Sequence, residues 1–299
     1  MDNNQYISAD MIKHQSWKYY FAAVAWPMYL LVLPFVFSKL GFFTIFLMIF
    51  PGVFIFTWVG YLMHESWHKY VPNIPNAFFF NILSFMLLTD PQIYKMLHGG
   101  HHMNVNSWED RELHPVGKIS NPIFRKIYNY VEVILGTVFL VAVSSVAIPF
   151  NPKYKDKYRF SSLIVSIFVW VIFLGGIGFI SHLIFNLSAG TIIIPYLISL
   201  WLCSFVLHQS QLVEHGNLIA VGDWNVRNLL TRNLKADGIL EKAFLFLTHG
   251  DSREHVLHHT LVKVYSRPFA GKVPMPEKAV YLNFKNYLSI LTGMLTKDT

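Results

Sequence analysis

The chain carries one cysteine, Cys203, among 299 residues. It lies in an apolar run, so an intrachain disulfide and a thiolate-rich zinc or iron–sulfur site are both excluded, and any metal must be held by nitrogen and oxygen. Charge is scarce as well. Asp, Glu, Lys and Arg together make up 14% of the residues, against about 25% in an ordinary soluble domain. With 54% hydrophobic side chains and a mean hydropathy of +0.40, a single soluble core is excluded, as are disorder, collagen and coiled coil. No internal repeat and no low-complexity tract is present. What remains is an integral membrane protein.

Charge-free stretches long enough to cross a bilayer core recur. Residues 19–38 and 40–63 contain no Asp, Glu, Lys or Arg and are separated by a tight turn holding Lys39. Residues 160–213 form a third uncharged stretch, too long for one crossing, and Asn186-Leu-Ser-Ala-Gly190 supplies a polar turn inside it. Four spans follow, over about 19–38, 40–63, 161–185 and 191–213. The apolar piece from Ala77 to Leu88 is too short to cross and reads as an interfacial or re-entrant helix. Hydropathy alone would make Val133–Pro152 a fifth span. With four spans, however, Lys39 is the single basic residue in the short outer loops and every other Lys and Arg lies inside. An in-plane helix over Tyr128–Phe150 is therefore expected, and both termini are expected in the cytoplasm. Residues 1–18 show no cleavable signal pattern, so span one reads as an anchor. Residues 216–299 have ordinary polarity and read as a cytosolic cap. The expected fold is one all-α integral membrane domain over residues 1–299: four transmembrane helices, interfacial helices and a cytosolic helical cap carrying a dimetal site.

Histidine is the conspicuous presence, with 14 copies. Three clusters stand out: His64-x-x-x-His68 after span two, His98-x-x-His101-His102, and His255-x-x-His258-His259. On a helix, residues three or four apart share a face about 5–6 Å apart at Cβ, so each cluster offers adjacent imidazoles to one centre. Neutral imidazole suits iron, zinc, copper and nickel. Eight imidazoles exceed what one ion takes, which makes two ions the economical reading. Gln211-x-x-x-His215 at the cytoplasmic end of span four nominates His215 as a ninth nitrogen ligand, with the Gln211 amide one turn earlier as a further candidate metal-site residue. Glu65, Glu109, Asp110, Glu112, Glu214, Asp251 and Glu254 flank these positions and are candidate acceptors for the outer imidazole N–H groups. Of the remaining histidines, His14, His114, His182 and His249 read as surface or interface residues. His208, one or two turns before His215, is the best further candidate for support of a ligand.

Three boxes of the form HxxxH, HxxHH and HxxHH around hydrophobic hairpins resemble the membrane-bound fatty acid desaturase superfamily, and the resemblance covers nearly the whole chain. It implies a non-haem di-iron centre at the cytosolic ends of about four transmembrane helices, ligated by His64, His68, His98, His101, His102, His255, His258 and His259. It supports His215 too, because acyl desaturases of the stearoyl type carry Asn-x-x-x-His before the third box. In this chain Gln211 stands at the Asn position.

The expected activity is an oxidation of a fatty acyl chain by O₂ and two electrons, with desaturation first. Hydroxylation, ketone formation or oxidative decarboxylation to a terminal alkene is the alternative on the same scaffold. A single-zinc hydrolase would leave five or six box histidines unexplained, and a metal transporter would place its ligands near mid-span. No His-Pro-Gly-Gly haem element is present, so electrons are expected from a separate ferredoxin, rubredoxin or cytochrome b5-type donor. The net charge of +7 suits orientation in an anionic bilayer. Arg227, Arg232, Lys235, Arg253, Lys263, Arg267 and Lys272 are candidates for docking an acidic carrier, a coenzyme A thioester or the donor. Nucleic acid is not an expected partner.

Overall fold

The computed structural model describes residues 16–69, 73–150, 158, 160–260 and 275–296. Four helices in it are long and apolar enough to cross a membrane: α1 (Trp17–Leu40), α2 (Phe43–His68), α7 (Phe160–Phe185) and α8 (Gly190–His215). Between α2 and α7 lie α3 (Asn76–Met86), α4 (Pro91–Asn104), α5 (Pro122–Leu135) and α6 (Thr137–Phe150). After α8 come α9 (Trp224–Leu229), β1 (Arg232–Leu234), α10 (Ile239–Leu247), α11 (His255–Thr260), β2 (Val280–Leu282) and α12 (Phe284–Thr296).

Local sequence accounts for the breaks. The turn between α1 and α2 passes through Gly41 at φ +57, and the turn between α7 and α8 through Asn186 at φ +52. Within α1 the hydrogen-bond ladder widens to a π-turn over Met28–Val32, which Pro27 precedes and Pro34 follows. Asp90 caps α4 by accepting from Gln92 N and Ile93 N at 2.8 and 3.0 Å, ahead of Pro91 at the first helical position. Asn121 and Pro122 start α5 in the same way.

Helices α2 and α8 form the central pair. They meet at Gly52, where a Cβ would collide with Ser199, and the Tyr29 hydroxyl from α1 hydrogen-bonds the Ser199 hydroxyl beside it at 3.2 Å. Small residues give membrane helices this close approach. Tyr19, Tyr29, Met48, Phe56, Phe80 and Tyr196 fill the core shared by α1, α2, α3 and α8. A second core ties α5, α8, α10 and α12 together through Val133, Leu212, Val213, Leu245, Tyr287 and Met294. Helix α7 buries only Gly178 and Ser181, as suits a span facing lipid.

Two features differ from the sequence expectations. The region expected as one in-plane helix is two, because Gly136 at φ +67 breaks it and brings the chain against the α8 backbone at Ser204. Helix α5 then turns Ile123, Ile127, Tyr130 and Ile134 outward on one stripe and buries Asn129, Glu132 and Val133, while α6, of 14 residues, is too short to cross. The helical cap also contains a two-stranded parallel ribbon, with Arg232 opposite Val280 and Leu234 opposite Leu282. Isolated three-residue strands leave no periodicity to read in the sequence.

Candidate metal centre

Helices α2 and α8 end on the same side, and their last turns carry His64, His68 and His215. Helix α4 brings His98, His101 and His102 to them, and the short α11 brings His255, His258 and His259 from later in the chain. Eight of these nine imidazoles are buried and His68 is half-buried. They sort into two sets. His64, His68, His98, His102 and His258 form the first, with Nε2 atoms facing one another at 3.1–3.3 Å. His101, His215 and His259 form the second, continued by His255 and Glu214. In it, His259 Nε2 lies 3.3 Å from His101 Nε2 and 3.2 Å from His255 Nε2.

The other ring nitrogen of several of these histidines points outward to a fixed acceptor. His98 Nδ1–H donates to Glu112 Oε2 at 2.9 Å, His101 Nδ1–H to Asp110 Oδ2 at 2.7 Å, and His215 Nδ1–H to Asn106 Oδ1 at 2.9 Å. Such bonds fix the tautomer that leaves the Nε2 lone pair inward. The inward Nε2 of His215 is buried and has no hydrogen-bond partner among the described residues. Converging lone pairs of this kind, with one left unpartnered, fit metal ions and do not fit a hydrogen-bonded core.

At four of the rings the electrostatics agree with ligand duty. Burial, reinforced by the charges of neighbouring histidines, drives His102, His258 and His259 far below the ordinary histidine range and His255 down to about 3, so these rings stay neutral. At Glu112 burial favours the protonated form, but the charges of His98 and His101 prevail and bring it to about 2. At His101 burial favours the neutral ring, yet Asp110, with Glu112 behind it, raises it to about 9.

The scaffold around the rings explains their placement. Asn106 Nδ2 donates to Arg227 O at 2.7 Å and to Thr231 Oγ1 at 3.3 Å, which turns its oxygen toward His215. Arg232 is buried and donates to Leu212 O and Glu214 O at 3.4 Å and to Gly216 O, capping the C-terminal end of α8. Burial lowers this guanidinium to about 10, against the opposing charge of Glu214. It belongs to the scaffold, so its expected part in a docking surface is corrected. Lys263, Arg267 and Lys272 lie outside the described residues. Asn233 on β1 donates to Val280 O and accepts from Val256 N, both at 3.0 Å, and so seats the start of α11. Trp224 Nε1 donates to His102 O at 2.8 Å.

Gln211 stands outside both nitrogen sets. Its Nε2 donates to Glu112 Oε1 at 3.1 Å, and its Oε1 faces His208 Nδ1 at 3.3 Å. His208 in turn faces Glu132 at 3.3 Å. A polar chain thus runs from Glu132 through His208, Gln211 and Glu112 to His98, beside a cavity of about 30 Å³, large enough for water. Among the other histidines, His114 packs on Trp108 and His249 on Phe54 and Trp58; His182 lies toward the far end of α7; His14 is outside the described residues. No spacing in the sequence marks Asn106 or Asn233, and the sequence offers Arg232 only as a docking candidate.

No curated protein and no solved structure matches the chain. The family model described as fatty acid desaturase matches residues 40–266, more than half of the sequence and every histidine of the two sets. The chain belongs to the fatty acid desaturase family.

Proposed function

We propose that this protein is a non-haem di-iron oxidoreductase that introduces a double bond into a fatty acyl chain, with O₂ and two electrons from a separate donor protein. Family membership supports an oxidoreductase acting on fatty acyl chains in a membrane. The observation that carries the finer reading is the convergence of nine imidazoles, from three boxes and α8, into two adjacent sets at one end of the spans. Nitrogen ligation of two ions that must activate O₂ favours iron over zinc, which has no redox chemistry.

Bound iron would supply an oxidant able to take hydrogen from an unactivated C–H bond. The chain's own residues supply the rest. His64, His68, His98, His102 and His258 would hold one ion, and His101, His215, His255 and His259 the other. Asp110, Glu112 and Asn106 hold the Nδ1 protons and keep the rings turned inward. Gln211 positions Glu112 and reaches the metals through it. The register in which the acyl chain is held sets the product, since small shifts of the chain decide between removing a second hydrogen and returning oxygen. The charge distribution supports a cytoplasmic site, with the termini on the same side.

The test is lipid and hydrocarbon profiling by mass spectrometry in cells expressing the intact protein or His258→Ala. A new double bond present with the former and missing with the latter is expected. An added oxygen, or an olefin one carbon shorter, would replace desaturation by hydroxylation or decarboxylation.

A further inference from the structure

We propose that Glu214 is a direct carboxylate ligand of the second metal position, so that a five-imidazole site stands next to a site of four imidazoles and one carboxylate. The inference rests on the two-metal reading above and goes beyond it in the ligand set.

The argument is one of sides. The two carboxylates that orient ligand histidines, Asp110 and Glu112, both sit on Nδ1, the outward nitrogen. Glu214 sits on the inward one: its Oε2 lies 3.3 Å from His255 Nε2, the same atom that faces His259 Nε2 at 3.2 Å. The outward Nδ1 of His255 faces a different acid, Asp251 Oδ2, at 3.9 Å. Glu214 is thus on the metal side of the ring, and its carboxylate, His215 and His255 place one ligand atom each within 4.8 Å of one another.

The carboxylate is also prepared for this. Ser252 Oγ and Ser210 Oγ both donate to Oε1, at 2.7 and 3.1 Å, which fixes the group and turns Oε2 toward the imidazoles. Glu214 is 2% exposed, and no Lys or Arg forms an ion pair with it among the described residues. A carboxylate removed from water in that way stays ionised only beside a cation. The donor count agrees, for the first set has five imidazoles and the second reaches five donors when Glu214 is included.

The experiment uses the full chain in detergent, stripped of metal and reloaded with Fe(II) alone, with iron counted per chain and its release to a chelator followed. Wild type is expected to hold two irons. Glu214→Gln should keep one at wild-type affinity and release the other at least tenfold more readily. Two irons held by Glu214→Gln as tightly as by wild type would overturn the proposal, and wild type holding fewer than two would remove the two-metal reading beneath it. A density map of Zn(II)-loaded wild type gives an answer independent of the variant's folding. A Glu214 oxygen about 2.0–2.2 Å from the ion is expected, and a carboxylate turned away from both ions would overturn the assignment.

Discussion

Asn106 supports the proposed second metal position, because it is the acceptor for His215 Nδ1–H and is itself held by two donations from its own amide. Asn106→Ala should weaken metal retention at that position by about 10- to 100-fold, measured by chelator competition, with the first position unaffected. Acid acts on His255 in the same proposed site. For the metal-free chain, His255 takes a proton at about 6.5 when unfolded and, through burial and the charges of His101 and His98, at about 3 when folded. The unfolded state therefore binds more protons in that window, and stability falls as pH drops from about 6.5 toward 3. Thermal unfolding of stripped protein across this range should show the fall, and metal loading should oppose it at its upper end. The histidines behind both predictions are legible in the sequence because box spacing on a helix is local geometry. Asn106, Glu214 and Arg232 are not legible in the same way. Their roles exist only once chain segments that are distant in sequence have met, and an Asn or Glu near a ligand is too common to single out.

Helix α5 and helix α6 show what hydropathy can and cannot tell. Length rules out a crossing for the 14-residue α6, apolar as it is, and the charge distribution favours the in-plane reading for α5. The break between them escapes because a glycine in an apolar run is common; what fixes this one is the α8 backbone at Ser204, against which a side chain would collide. Gly136→Val adds a collision to the strain of φ +67, of order 1–3 kcal/mol for the backbone alone. A lowered unfolding temperature in detergent is the expected outcome, with greater loss of α5 than of the spans in hydrogen exchange. At the other end of the site, Asp90→Ala removes the cap of α4 and its bond from Ser166 Oγ at 2.6 Å. A loss of about 1 kcal/mol should show as the same kind of shift, with metal count unchanged.

Across the whole molecule, charge and histidines select one face. Cys203 is buried, so single cysteines placed elsewhere report on sidedness. Lys39→Cys should react with a membrane-impermeant thiol reagent in intact cells, whereas Asp223→Cys should react only after permeabilisation. Equal reactivity of the two would contradict the proposed orientation. The nine imidazoles belong to four helices that contribute from residue 64 to residue 259, and the short α11 is buried along with its three ligands, its start seated on Asn233. Metal filling both positions would consequently act as a rivet between the bilayer-embedded helices and the cap: chelation should unfasten α11 and leave the cap open to protease, while the greasy scaffold above stays assembled.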